Sequence, residues 1–255
     1  RRTRRRELCI VLPTTDSTEK QVRRALATVA TWAGPYLLSG ADGDGGERPG
    51  GAVVAALYSR RPLLPEWANA TLSLRGDLDM RHVKFNALRF IYLWLVIATY
   101  YLEDCDFFMK ADMDAYVDVP RLRASLRRFN ASDPVYAGTV TLSFGPNFEK
   151  WSGFAHGIGY VLSRGALRAS VSALETCIDH LLRYRIESIE DMMLGSCLRN
   201  VRPPIHPQEL GKMVYNFAGD VAPAMMEAPL VVHPVDPSDM LPLHRAALAR
   251  AGRAA

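Results

Sequence analysis

Two aspartates one residue apart, Asp112 and Asp114, directly follow the apolar run Asp106–Lys110, "DFFMK". In extended chain, residues i and i+2 point to the same side, so the two carboxylates can share one hard cation. Mg²⁺ or Mn²⁺ takes such oxygen ligands and completes its shell with phosphate oxygens and water. Asp-x-Asp is also a common loop triplet, and the preceding apolar strand is what sets this one apart. The segment Trp151–Ser163, "WSGFAHGIGYVLS", has three glycines that let backbone approach a ligand closely: Gly153, Gly157 and Gly159. Within it Trp151 can stack on a sugar ring and His156 can donate a hydrogen bond. A tight hairpin packed by an aromatic fits the same spacing equally well. Ser188-Ile189-Glu190-Asp191 places paired acids at a helix start, where capping is their default role. An acid near a sugar site also serves as a general base towards an attacking hydroxyl. His233 ends the apolar run Leu230–Val235, "LVVHPV", either as a structural histidine or as a metal ligand beside carboxylates.

These groups need elements to position them. "LCIVL" at Leu8–Leu12 reads as a buried strand ended by Pro13. Gln21–Trp32 has apolar residues at helical spacing and stops at Gly34-Pro35. Tyr36–Leu38 reads as a second strand, Gly40–Gly51 as a mobile glycine-rich loop and Ala52–Tyr58 as another strand. Leu78–Leu102 reads as one long, mostly buried helix. Asp106–Lys110 is a strand, Val119–Phe129 a helix with Pro120 in its first turn, and Val135–Leu142 a strand. Gly157–Ser163 is a glycine-rich turn running into a strand, Arg164–Leu182 a helix, and Glu190–Leu198 opens another. Beyond Arg202 prolines multiply and the pattern weakens. Strands alternating with helices predict an α/β fold with a mainly parallel sheet. Ligands in such sheets gather at the carboxyl ends of strands, where Asp112 and Asp114 fall.

The chain has 255 residues, 49% hydrophobic and 23% charged, which excludes collagen, a disordered tail or a small disulfide knot. Its formal charge is +4, but five of the 31 basic residues lie in Arg1–Arg6, and without them 26 stand against 27 acids. A nucleic-acid protein spreads basic charge along a face, so nucleic acid is not expected as a partner. Cys9, Cys105, Cys177 and Cys197 form no CxxC pair, which argues against a zinc ribbon. Asn69-Ala-Thr71 and Asn130-Ala-Ser132 are glycosylation sequons. The longest apolar run, Phe90–Leu102, is 13 residues, short of the roughly 20 needed to cross a bilayer. No signal peptide is visible, and the start on Arg1 rather than Met fits a fragment that has lost its targeting segment.

Taken in order, the segments from about Leu8 to His233 resemble the fringe and core-1 β1,3-galactosyltransferase family of inverting glycosyltransferases. The resemblance rests on "ELCIVLPT", "ATW" at Ala30–Trp32, "YLEDCDFFMKADMDAYVDVPRLR", "GIGYVLSRGAL" and "SIEDMMLGSCL". It implies a single-domain GT-A fold over residues 8–245, with a basic segment at 1–7 and a tail at 246–255. It implies a UDP-sugar donor, most simply UDP-galactose, a glycan or glycoprotein acceptor, and Mn²⁺. It also implies a Golgi type II membrane protein whose anchor is absent from this chain; the sequence leaves the oligomeric state open, a homodimer being one option. By the same resemblance Asp114 and His233 bind the metal, and Asp112 lies beside the ribose and aids the metal. Asp191 is the base with Glu190 its alternate. Thr14 and Thr15 meet the uridine, and Lys110, His156 and Gly157 are placed on the donor side. Cys177 and Cys197 match a family disulfide, which needs an oxidising lumen.

The chain departs from the family pattern at several positions. Met113 stands where the family has its middle acid, and His156-Gly157 replaces Gly-Gly. The cysteine after "TW" is missing, which leaves Cys9 free or paired with Cys105. Lys84 and Arg89 both compete for the family's basic residue in the long helix. These departures keep a second class open, a non-catalytic binding or chaperone module. A metal-dependent phosphohydrolase would need a further acidic or Lys/Thr constellation that is not found.

Overall fold

The computed structural model describes residues 5–13, 19–37, 53–59, 71–73, 86–141, 153–184, 189–215, 221 and 228–254. The first strand, β1 (Arg6–Pro13), leads to helix α1 (Glu19–Thr28) and a π-helical turn, Val29–Ala33. Strands β2 (Val53–Ser59) and β3 (Thr71–Ser73) precede α2 (Asn86–Val96), which ends in a second π-helical turn, Ile97–Tyr101. Next come β4 (Cys105–Ala111), β5 (Tyr116–Val117), α3 (Val119–Leu126), β6 (Tyr136–Thr141) and β7 (Phe154–Ser163). Helices α4 (Arg164–Tyr184) and α5 (Glu190–Arg199) follow, then β8 (Pro207–Glu209), β9 (Met213–Tyr215), β10 (Val231–His233) and α6 (Pro237–Ala254).

Seven strands form the central sheet in the order β3-β2-β1-β4-β7-β6-β8. The pairs β3–β2, β2–β1, β1–β4 and β6–β8 are parallel, and β7 runs antiparallel to both neighbours. The fold is therefore mixed α/β with a mainly parallel sheet, as the alternation of elements predicts. Both faces are apolar because β1 and β4 are buried on both sides, the usual state of parallel strands covered by helices. Leu8, Ile10, Leu12, Phe107 and Met109 pack with α1, α3 and α6, whereas Val11 and Phe108 face α2, α4 and α5. The period of two continues through Lys110, which lies on the side of Phe108. Its ammonium sits 5.0 Å from the centre of the Phe90 ring on α2.

A second sheet, β5-β10-β9, has three strands. It pairs the strand just after Asp114 with the strand carrying His233: Val231 lies opposite Val117 and Val232 opposite Tyr116. This sheet closes a loop of more than a hundred residues, and no local pattern announces it.

Several elements differ from expectation. Tyr36 and Leu37, the described part of the expected strand Tyr36–Leu38, do not form one. Gly34–Tyr36 forms a 3₁₀ turn, and Leu37 makes a single bridge to Ala55, because Pro35 fits a first helical turn and offers no N–H to a ladder. Gly157 and Gly159 lie inside the continuous strand β7 rather than in a turn. Gly159 is opposite Ala111, where an added Cβ would meet the Met109 methyl at 2.9 Å, so close strand packing explains this glycine. The long helix is described from Asn86 onward. The loop at 40–51 lies outside the described residues. At the termini, β1 begins at Arg6, within the segment set apart as 1–7, and α6 runs on through residue 246. Arg5 pairs with Glu103 at 2.5 Å. No helix among the described residues is long and apolar enough to cross a membrane.

Two disulfides tie the frame. Cys9–Cys105 joins the neighbouring strands β1 and β4, and Cys177–Cys197 joins α4 to α5. The second encloses a sequence separation of 20 residues, for which chain entropy alone stabilises by about 3 kcal/mol. Replacing Cys177 and Cys197 together by Ala is expected to lower the unfolding free energy by about 2–4 kcal/mol. Urea titration of the two proteins measures it, and an unchanged midpoint would show that the bond does not secure α5.

Candidate active site

The strand β4 ends at Ala111 and releases Asp112 and Asp114 into a tight turn. Ala115 N–H donates to Asp112 O at 3.0 Å, closing that turn. Helix α1 and its π-helical extension clamp the turn from one side. Thr28 Oγ1 donates to Met113 O at 2.7 Å, and Trp32 Nε1 donates to Ala115 O at 2.9 Å. Met113 is buried in the core cluster beneath. The middle position thus turns inward as the two aspartates turn out, so a methionine there leaves the carboxylate pair intact.

The second sheet brings His233 to this pair. Val235 N–H donates to Asp114 O at 2.7 Å, a main-chain tie between the two segments. His233 Nε2 lies 3.1 Å from Asp114 Oδ1 and 3.4 Å from Asp112 Oδ2. One ligand atom from each of the three residues falls within 4.8 Å of the others. A divalent ion with bonds near 2.1 Å holds adjacent octahedral ligands about 3.0 Å apart. Two carboxylate oxygens and an imidazole nitrogen at these spacings suit Mn²⁺ or Mg²⁺.

Lys110 lies beneath these groups with its side chain 2% exposed. Its ammonium is 2.8 Å from Asp112 Oδ1 and 2.8 Å from Glu190 Oε1, and it donates to Gly157 O at 2.7 Å. Tyr160 donates to Glu190 Oε2 at 3.0 Å, and Trp94 Nε1 donates to the Tyr160 oxygen at 2.9 Å. Burial pushes the Lys110 ammonium down, but the charges of Glu190 and Asp112 outweigh it and hold the group protonated, above the ordinary lysine value. Burial raises the Glu190 carboxyl, with Lys110 opposing. Asp114 is also pushed up by burial. The His233 hydrogen bond, the His233 charge and Arg24, at 2.8 Å, together bring it below the usual carboxylate value.

Glu190 and Asp191 form the first turn of α5. Asp191 does more than favour the helix end, because its Oδ2 accepts the Gly157 N–H of β7 at 2.6 Å and its Oδ1 accepts Met192 N–H at 2.8 Å. A Cβ on Gly157 would come 3.1 Å from Asp191 Oδ2 and 3.2 Å from Glu190 Oε1, so glycine permits this strand to touch both carboxylates. Gly195 allows α5 to seat on β7, where a Cβ would meet that of Phe154 at 2.8 Å. His156 Nδ1 is 3.5 Å from Asp191 Oδ2. Burial lowers the His156 pKa despite Asp191, so the ring is neutral at pH 7 and the contact is not an ion pair.

Of the residues singled out from sequence, Lys110, Asp112, Asp114, His156, Gly157, Glu190, Asp191 and His233 share one region, and Cys177–Cys197 braces α5 behind it. Thr14, Thr15, Trp151 and Lys84 lie outside the described residues. Arg89 is on α2, partly buried. Sequence reasoning missed Arg24, Thr28, Tyr160 and Trp94. Their signal is a polar atom on an otherwise apolar face, which periodicity counts as noise. A cavity of about 370 Å³ lies elsewhere, against Trp32, Tyr36, Tyr116, His244 and Leu248, and none of the clustered carboxylates borders it.

Among the described residues the region holds four carboxyl groups, Asp112, Asp114, Glu190 and Asp191, against the cations Lys110 and Arg24. A divalent cation would offset the difference. Removing the ammonium alone, in Lys110→Met, leaves Glu190 buried beside Asp112 without its counter-charge. This variant is expected to lose about 3–5 kcal/mol of stability, read by denaturant titration. A loss below about 1 kcal/mol would show that the network is solvated.

Residues 88–210 match the family model described as Fringe-like. The chain is 36% identical over 100 residues to glycoprotein-N-acetylgalactosamine 3-beta-galactosyltransferase 1 of Xenopus laevis, covering 39% of this chain and 26% of that protein. It is 33% identical over 109 residues to chondroitin sulfate synthase 3 of Homo sapiens, covering 39% of this chain and 12% of that one. The chain thus spans about a quarter or less of the curated relatives it matches. Among solved structures it is similar to the galactosyltransferase LgtC in complex with donor and acceptor sugar analogs, with a TM-score of 0.49 at 10% identity over 94% of this chain and 95% of that one. The apo-form glycosyltransferase GlyE of Streptococcus pneumoniae TIGR4 gives a TM-score of 0.48 at 12% identity over 98% and 64%. The stretch matched by the Fringe-like model, residues 88–210, carries Lys110, Asp112, Asp114, His156, Glu190 and Asp191.

Proposed function

We propose that the chain is the catalytic domain of an inverting GT-A glycosyltransferase that moves a hexose, in the first instance galactose, from a UDP-sugar to a glycan or glycoprotein hydroxyl in β1,3 linkage. The observation that carries this reading is the meeting of Asp112, Asp114 and His233 with the Lys110–Glu190–Asp191 group at one end of the sheet. The Fringe-like match and the resemblance to a 3-beta-galactosyltransferase supply the reaction class.

In this reading Asp114 and His233 would hold the divalent cation, Mn²⁺ by family resemblance, and Asp112 would assist them on the ribose side. When bound, the cation neutralises charge on the sugar diphosphate. Asp191 removes the proton from the acceptor hydroxyl. The acceptor oxygen then bonds to the anomeric carbon from the face opposite UDP, the bond to UDP breaks, and the configuration inverts. The arrangement of base and leaving group on either side of the ring follows that of inverting glycosidases, with the acceptor in place of water. Asp191 suits the base because it borders His156, whose side chain is 30% exposed. Both acids have their oxygens engaged, but Asp191 accepts from backbone N–H groups of Gly157 and Met192, whereas Glu190 is tied to the buried Lys110 ammonium and the Tyr160 hydroxyl. Glu190 therefore positions, and Lys110 acts on the donor side through Asp112. His156 and Gly157 line the sugar pocket, Thr14 and Thr15 keep the uridine role that the resemblance assigns, and Trp151 keeps the stacking role that its aromatic face suits. The Golgi lumen is the proposed location, since two disulfides suit an oxidising compartment.

A screen of UDP-sugars and glycan acceptors with and without Mn²⁺, reading free UDP and the linked product, tests the proposal. Asp191→Asn is expected to bind UDP normally and to lose about 10²–10⁴-fold in turnover. Wild-type transfer by this variant removes Asp191 from the role. In calorimetry, Asp114→Ala is expected to abolish Mn²⁺-dependent UDP binding, and unchanged binding refutes the metal assignment. UDP binding without transfer to any acceptor would favour a binding module.

A further inference from the structure

The turn that follows α3 carries the sequon Asn130-Ala131-Ser132, which the transferase reading leaves unused. Asn130 and Ser132 are both exposed. The turn is firmly built. Asn130 Oδ1 accepts Ser132 N–H at 3.1 Å, Asp133 N–H donates to Asn130 O at 3.0 Å, and Gly165 N–H donates to Ala131 O at 2.8 Å. A Cβ on Gly165 would come 2.3 Å from Ser132 O and 2.5 Å from Asp133 O, so glycine at the start of α4 makes room for the turn. Ser163 Oγ donates to Asp133 O at 2.5 Å and receives Val135 N–H at 2.9 Å.

These contacts place the turn at the Ser163 end of β7. Asp112 follows Ala111, which is opposite Gly159 in the same strand. Four residues of strand separate Gly159 from Ser163, about 13 Å, so the sequon lies at the end of the sheet remote from the carboxylates. Asn130 Nδ2 has one weak partner, Asp133 Oδ1 at 3.4 Å. Ser132 Oγ accepts from Arg164 at 3.4 Å. An N-linked amide keeps one N–H, so glycosylation costs the turn at most this one long contact to Asp133. The two disulfides point independently to the oxidising compartment in which sequons are modified.

We propose that Asn130 is an N-glycosylation site, exposed at the end of the sheet opposite the sugar-transfer site. The co-substrate is an oligosaccharide linked to a lipid pyrophosphate. A bond forms between Asn130 Nδ2 and the anomeric carbon of the first sugar, and the carbon–oxygen bond to the pyrophosphate breaks. The lipid pyrophosphate leaves, and the amide proton passes to the base of the modifying enzyme. The bulky, hydrated glycan projects from the surface without entering the site.

The test uses the protein expressed through a eukaryotic secretory pathway, selecting molecules in which Cys177–Cys197 is closed. Peptide-N-glycosidase treatment in H₂¹⁸O is expected to convert Asn130 to ¹⁸O-labelled Asp, read by mass spectrometry of the peptide. Asn130→Gln and Ser132→Ala should each remove the glycan, and Ser132→Thr should retain it. Each variant should transfer sugar within about twofold of the parent. An unmodified Asn130 peptide in disulfide-closed protein overturns the proposal, as does a glycan at Asn130 that survives Ser132→Ala. A glycosylated Asn130 on a protein that transfers no sugar leaves this inference standing and removes the function proposed above.

Discussion

The site depends on the buried ammonium of Lys110. A charge in the protein interior is tolerated only when its surroundings replace the lost water. Three oxygens do so here, from Asp112 on the turn after β4, Glu190 on α5 and the Gly157 carbonyl of β7. The requirement works in both directions. The carboxylates keep the ammonium charged, and the ammonium draws three separate elements to one point. Tyr160 and Trp94 extend the network to α2, so each buried polar atom along it meets a partner.

Upon this foundation the structure gathers an excess of acid. Asp114 is restrained by Arg24 and His233, and Asp112 by Lys110. Such a concentration of carboxylates is costly without cations, and it is useful where a divalent ion and a diphosphate arrive together. The inward turn of Met113 leaves the outer two carboxylates of the triplet facing the site. Side-chain hydrogen bonds from Thr28 and Trp32 to backbone carbonyls hold the turn, and the middle side chain packs in the core.

The two ends of the sheet serve different needs. At one end, glycines in β7 and α5 let backbone and carboxylates approach within contact distance. At the other, the turn at Asn130–Asp133 closes against Gly165 and leaves its polar side chains in water. The disulfides brace the frame between them, β1 to β4 and α4 to α5.

Local patterns in the sequence were sufficient for the strands "LCIVL" and "DFFMK", the helix opening at Glu190 and the acidic pair after β4. In each, side-chain periodicity and a terminating polar residue lie within a few positions of one another. They also marked His233 as a histidine worth watching. Only the tertiary structure decided that His233 meets Asp114, because that meeting needs the register of β5 against β10 and the tie from Val235. It alone showed that Gly157 and Gly159 belong to a strand, that β8 and β9 exist as three-residue pieces, and that Cys9 pairs with Cys105. Short strands and isolated polar contacts carry too little local signal to be read. Their energy comes from partners distant in sequence, and those partners become neighbours only when the chain closes on itself.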